Sequence, residues 1–115
     1  MKELKNISLP ENEYGAITTA VKVLKALYPL ETVILFGSKS RGSSDDSSDI
    51  DLLMVTARPL HWREEKAIVD KLFEVGMEYD VIFSPLFATH EEWNGGIFLE
   101  FPVYEHIMRD GALVA

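Results

Sequence analysis

The feature that most constrains this chain is a pair of short apolar runs separated by a polar stretch. Thr32-Val33-Ile34-Leu35-Phe36 stops at Gly37-Ser38, and after ten intervening residues the acidic pair of Asp49-Ile50-Asp51 opens a second run that lasts to Val55. Both runs are rich in β-branched and apolar residues, and glycine, serine and aspartate cluster between them. They therefore read as buried strands at 32–36 and 50–55, with Arg58-Pro59 breaking the second. The Ser/Gly/Asp-rich stretch 37–48 is the one shift in composition, and it reads as a loop inside a domain with room for a short helical turn.

Other segments supply the cover that such strands need. Ile17, Val21, Leu24 and then Leu27 or Tyr28 recur at helical spacing over 13–28, until Pro29 stops the run. A second helix is predicted over 61–75, with Trp62, Val69, Leu72 and Phe73 as its inner face, and a third strand over 78–83, ended by Ser84-Pro85. Thr89-His90-Glu91-Glu92 has the form of a capping box, which starts a short helix that Asn94-Gly95-Gly96 would end. A last helix over 98–109 carries Phe98, Phe101, Tyr104, Ile107 and Met108; Pro102 fits only its first turn, and Gly111 lies just past its end. Leu113-Val114 adds an edge strand. The order α-β-loop-β-α-β-α predicts an α/β fold, a small mixed β-sheet flanked by helices, in one domain spanning residues 1–115.

Charge and composition exclude several classes of function. The net charge is −8, with 19 acidic and 11 scattered basic residues. A groove that tracks a nucleic-acid backbone carries clustered Lys and Arg, so such a substrate is disfavoured. Disulfides and thiolate metal sites are excluded because the chain has no cysteine. No apolar run approaches the roughly 20 residues that cross a bilayer, and residues 1–6 are too polar for a signal peptide, so a cytoplasmic location without membrane attachment is expected.

The chemistry concentrates around the polar stretch. A strand ending in Gly-Ser frees backbone N–H groups at the bend; glycine allows close approach and serine adds a hydroxyl donor for a phosphate oxygen. Alternation along a strand puts Asp49 and Asp51 on one face and Ile50 on the other. Two neighbouring carboxylates repel unless a cation joins them, and hard oxygen ligands suit Mg²⁺ or Mn²⁺ shared with substrate phosphates. Asp80, in the predicted strand 78–83, would be a third carboxylate in an apolar setting. The three together, on adjacent strand ends facing the Gly-Ser cradle, would form a two-metal site for in-line displacement at phosphorus.

Gly37-Ser38-Lys39-Ser40-Arg41-Gly42 followed by Ser48-Asp49-Ile50-Asp51-Leu52 resembles the signature of the DNA polymerase beta-like nucleotidyltransferases. In detail it is most similar to the minimal nucleotidyltransferases, or MNT proteins, many of which are antitoxins paired with helical HEPN toxins. The resemblance covers about residues 15 to 110. It implies that Gly37 and Ser38 hold nucleotide phosphates, that Asp49, Asp51 and Asp80 are catalytic and metal-ligating, and that Arg41 steadies the loop or a phosphate. It further implies transfer of a nucleoside monophosphate, AMP from ATP in antitoxin members, to a hydroxyl of a HEPN-type partner, with release of pyrophosphate. A nucleotide-binding antitoxin that neutralises its partner by contact, with weak or no catalysis, is the alternative.

Two departures bear on that choice. Asp45 and Asp46 add negative charge beside the phosphate path, and the large helical domain with which bigger relatives hold small acceptors is missing. His61, His90 and His106 lack a metal-binding spacing and read as helix-surface residues. Trp62 and Trp93 read as core or partner contacts, and Phe98, Phe101 and Tyr104 form an aromatic stripe able to serve as an interface.

Overall fold

The computed structural model describes residues 1–42 and 49–115. Helix α1 spans Glu11–Leu27, with Glu11 and Glu13 in its first turn, where the helix dipole favours negative charge. Its inner stripe is Ala16, Ile17, Ala20, Val21 and Leu24. Tyr28, forced toward extended backbone by the proline after it, ends the helix. Strand β2 (Leu30–Phe36) follows, then a single helical turn α2 (Ser38–Arg41) and strand β3 (Ile50–Thr56). The two strands pair antiparallel, with Phe36 opposite Asp51 and Leu35 opposite Leu52.

Alternation along these strands divides the interior in two. Val33, Leu35, Ile50, Leu52 and Met54 face α1 and helix α3 (Trp62–Tyr79), whose Ile68, Leu72 and Val75 join the same cluster. Ile34, Leu53 and Val55 point the other way, onto Trp93 and Ile107. These come from helices α4 (His90–Gly95) and α5 (Pro102–Asp110). The sheet is therefore covered on both faces, which accounts for the unbroken apolar character of β2 and β3.

Strand β4 (Phe83–Thr89) runs parallel to β3, and α3 makes the crossover. At the other side of β2 lie β5 (Ala112–Leu113) and β1 (Lys2–Glu3), giving the order β1-β5-β2-β3-β4. The α/β class, the mixed sheet and the flanking helices agree with the sequence expectation. The Thr89–Glu92 capping box at α4 is present, and Pro102 opens α5 at its first turn.

Four local expectations need correction. The inner face of α3 is Ile68, Leu72, Val75 and Gly76, whereas Trp62, Val69 and Phe73 are exposed. The two stripes are each spaced by four residues and differ by one position in phase, so apolarity alone does not choose between them. The third strand is not 78–83: α3 continues to Tyr79, and the strand begins at Phe83. Helix extension is favoured because Tyr79 packs on Gly15 and its hydroxyl lies 3.0 Å from Thr19 Oγ1, while its carbonyl accepts a 3.0 Å hydrogen bond from Asn12. Third, Pro85 lies inside β4 instead of ending it. Its missing N–H is tolerated because β4 is the edge of the sheet. Finally, the strand read at Leu113-Val114 is Ala112–Leu113, and it is not an edge, because β1 pairs with it.

Asp80 ends α3 in the left-handed conformation, with φ 60° and ψ 49°. The chain then folds back so tightly that the Val81 N–H donates to the Gly76 carbonyl at 2.9 Å. A Cβ at Gly76 would stand 2.5 Å from the Val81 carbonyl oxygen, a backbone atom with little freedom to retreat. Gly76→Ala is therefore expected to lose roughly 2 kcal/mol, overpacking outweighing the higher helix propensity of alanine. Asp80→Gly, which relieves left-handed backbone strain of about 1 kcal/mol, is expected to raise the melting temperature by about 4 °C. Thermal unfolding followed by circular dichroism checks both, and a fall in melting temperature for Asp80→Gly would refute the cap assignment.

Candidate functional site

The candidate site forms where β2 ends and β3 begins. Gly37 leaves β2 with φ 74° and ψ −158°, a backbone conformation that L side chains rarely adopt. It also has no room for a side chain: a Cβ at Gly37 would lie 2.3 Å from Asp51 Oδ2. The carboxylate of Asp51 thus occupies the place that the missing methyl leaves open. Antiparallel pairing of Phe36 with Asp51 fixes this approach, so bend and carboxylate are brought together by strand register.

The turn after Gly37 is held from several sides. Ser40 donates its hydroxyl to the Gly37 carbonyl at 2.8 Å, and Lys2 donates to the Ser40 carbonyl at 2.7 Å. Lys39, fully buried, points into the protein and meets Glu13 of α1 at 2.9 Å. Breaking a buried ion pair of this kind by removing one partner is strongly destabilising, because the remaining charge stays in the interior. The sequence reading did not identify Lys39 or Glu13. A signal for it exists in Glu13, an acid four residues before Ile17 on the apolar stripe of α1. Ser38 begins the turn and is half-buried, and Arg41 ends it and is exposed.

Asp49 precedes β3 and is exposed, whereas Asp51 is half-buried. Burial pushes the Asp51 carboxyl up from its ordinary value, and the negative charge of Asp49 adds to the rise. A hydrogen bond from Ser84 and the positive charge of Arg41 act in the opposite sense. Gly37, Arg41, Asp49 and Asp51 are therefore one electrostatic unit. Such a unit favours a cation beside Asp51, which would relieve both the burial of one carboxylate and the repulsion between two.

Asp80 does not belong to this unit. It caps α3, exposed, and among the described residues no group of three or more His, Cys, Asp or Glu is placed to hold a metal ion. The expectation that Asp80 lies on a strand adjacent to Asp51 is thereby corrected. The strand adjacent to Asp51 is β4, and the residue opposite Asp51 is Ser84. The sequence reading missed Ser84 because it took Ser84-Pro85 as the end of a strand. Ser48, Asp45 and Asp46 lie outside the described residues.

The three histidines stand apart from the site. His61 caps α3, His90 pairs with Glu31, and His106 is exposed on α5. In the aromatic stripe Trp93 is buried against Phe98 and Tyr104, and Phe101 stays exposed at the edge of Phe98.

Comparison with known proteins agrees with this fold. The sequence profile described as "Nucleotidyltransferase domain" matches residues 17–102. Two relatives from Methanocaldococcus jannaschii share the name "Putative protein adenylyltransferase". One is 35% identical over 57 residues, which is 50% of this chain and 58% of that protein. The other is 28% identical over 105 residues, covering 90% of this chain and 98% of that protein. Among solved structures, the complex of a tri-AMPylated Shewanella oneidensis HEPN toxin with its MNT antitoxin contains a similar fold. The TM-score is 0.56 at 17% identity, over 88% of this chain and 70% of that one. The profile match takes in the Gly37 bend, Asp49, Asp51 and the whole α3 crossover, and the chain accordingly belongs to the nucleotidyltransferase domain family.

Proposed function

We propose that this chain transfers a nucleoside monophosphate, AMP from ATP, to a hydroxyl of a partner protein, a HEPN-type toxin, and releases pyrophosphate. The observation that carries the reading is the contact between the Gly37 bend and the Asp51 carboxylate, with Asp49 beside it. The names of the two M. jannaschii relatives and the AMPylated toxin in the S. oneidensis complex support the choice of adenylyl transfer and of partner.

In this reading the Gly37-Ser38 bend receives the polyphosphate, backbone N–H groups and the Ser38 hydroxyl donating to its oxygens. Asp49 and Asp51 hold the divalent cation, Mg²⁺ or Mn²⁺, through hard oxygen ligands. When bound, that cation supplies Lewis-acid polarisation of the phosphoryl oxygens and neutralises charge on the leaving group. Arg41, at the far end of the turn, adds positive charge that acts on Asp51. The Lys39–Glu13 pair holds the bend against α1, so that the phosphate and cation positions keep their separation when the site is empty.

A second reading, neutralisation of the partner by contact with a nucleotide-binding but weakly catalytic domain, gains from one observation. The neighbouring strand presents the hydroxyl of Ser84 to Asp51, not another carboxylate.

The two readings separate in an assay that combines this protein, the partner, Mg²⁺ and α-labelled ATP. Label on the partner that disappears in Asp49→Asn and Asp51→Asn supports transfer, with losses of at least about a hundredfold expected where transition-state charge is stabilised. Asp80→Asn should label the partner as the parent does. Neutralisation by both aspartate variants without any labelling would overturn the enzymatic reading. Gly37→Ala should bind nucleotide poorly and also lose roughly 1–3 kcal/mol of stability, since the added methyl displaces the Asp51 carboxylate and the positive φ strains any L side chain.

A stability prediction follows from the raised Asp51 ionisation. An acid whose folded pKa exceeds its unfolded value is disfavoured in the folded state once it is charged, and this penalty is lost as pH falls through the unfolded value. Without ligand at neutral pH, Asp51→Asn should therefore melt above the parent, and the difference should vanish in acid. The variant should also lose the upward shift that Mg²⁺ with ATP gives the parent. Scanning fluorimetry across pH measures all three, and an unchanged ligand shift in the variant would remove Asp51 from the site.

A further inference from the structure

We infer that Ser84 is the positioning residue that completes the site from β4, and that its neutral hydroxyl makes this a two-carboxylate centre which takes one divalent cation with its nucleotide. The inference rests on the reading of Asp49, Asp51 and the Gly37 bend as a cation–nucleotide site.

Three observations place Ser84 there. Parallel pairing of β3 and β4 runs from Ile50↔Phe83 through Asp51↔Ser84 to Thr56↔Thr89 without a break. The Ile50 N–H donates to the Ile82 carbonyl at 2.8 Å, which locks the register at the end nearest the site. Phe83 and Phe87 pack into the cluster of α1 and α3, so alternation turns Ser84 to the opposite face, the one that Asp51 shares. A slip of one residue would turn Phe83 and Phe87 out of that cluster and bury Ser84 in it, so the pairing is strongly specified.

Register and alternation stand Ser84 beside Asp51 on the same face, where its hydroxyl favours the charged carboxylate. A carboxylate with a hydroxyl on one side and the Gly37 bend on the other has fewer orientations open to it, and a hydroxyl donating to one lone pair leaves the others for the site. Ser84 thus reduces the entropy lost when Asp51 takes a cation. The same hydroxyl brings no negative charge. Two carboxylates with a triphosphate match the needs of one Mg²⁺-like ion, which usually keeps one or two carboxylates, substrate phosphates and several waters. A second ion needs further anionic ligands. Among the described residues, Asp80 caps α3 and β4 offers none at the position facing Asp51.

The test counts bound Mn²⁺ by electron paramagnetic resonance in the presence of a non-hydrolysable ATP analogue, with circular dichroism as a check on folding. The parent should bind one Mn²⁺ per chain. Ser84→Asp should bind two. Ser84→Ala should keep one but bind the Mn²⁺–analogue about five- to tenfold more weakly, the loss of one ordinary hydrogen-bonding hydroxyl beside Asp51. Ser84→Thr, which restores the hydroxyl on a β-branched side chain suited to a strand, should recover parental affinity.

Two Mn²⁺ ions in the parent would overturn the two-carboxylate centre. Equal affinity in Ser84→Ala and Ser84→Thr would overturn the positioning role, and this pair decides the matter even if Ser84→Asp fails to fold. Failure of the underlying reading looks different: neither the parent nor any folded variant would bind the Mn²⁺–analogue, and Asp51→Asn would behave as the parent does.

Discussion

The site depends on one close approach, that of the Asp51 carboxylate to a backbone position without a side chain. Gly37 is required twice over, by its positive φ and by the absence of space for a methyl. The approach is set by the pairing of β2 with β3, and both strands are covered on both faces. Close-packed interiors resist small displacements, so the two clusters of apolar side chains act at a distance as the support of a polar contact. The helical turn after Gly37 is tied back by Ser40 and anchored through Lys39, which keeps its backbone from drifting away from the acid.

This support holds two like charges near each other and withdraws one of them partly from water. The arrangement is unfavourable in isolation, and the protein offsets it only in part, with a serine hydroxyl and an arginine at the rim. Strain of this electrostatic kind is concentrated at functional sites because a ligand of opposite charge can relieve it. The rest of the molecule shows the contrasting pattern. Arg58 with Glu64 and Lys66 with Asp70 are exposed pairs on or beside α3, where solvent screens most of their attraction.

Much of the architecture was legible in the sequence. Strands β2 and β3 announced themselves because both are buried on two faces and bounded by glycine or acid. The Gly37-Ser38 bend and the Asp49-Ile50-Asp51 entry were equally plain, since each lies at a boundary between apolar and polar chain. What failed was the span between α3 and β4. There the local pattern fits either structure: Tyr79, Val81 and Phe83 alternate like a strand, while Leu72, Val75, Gly76 and Tyr79 continue a helix. Contacts distant in sequence decided for the helix, through Gly15, Thr19 and Asn12 of α1. Asp80 consequently became a cap and Ser84 took the place facing Asp51. Burial of Lys39 was hidden for a related reason, because its partner lies 26 positions earlier in the chain.

Pro85 gives the outer side of β4 a property beyond its tolerance of a missing donor. It follows Ser84 directly, so the sheet border next to the site is interrupted where an incoming extended segment would seek a continuous ladder. Blunted borders of this sort discourage self-assembly through strand addition. Under the proposed transfer, an acceptor protein would find no continuous ladder on this border and would dock mainly through side chains, over the face of the sheet. The proline would then bias the direction of entry.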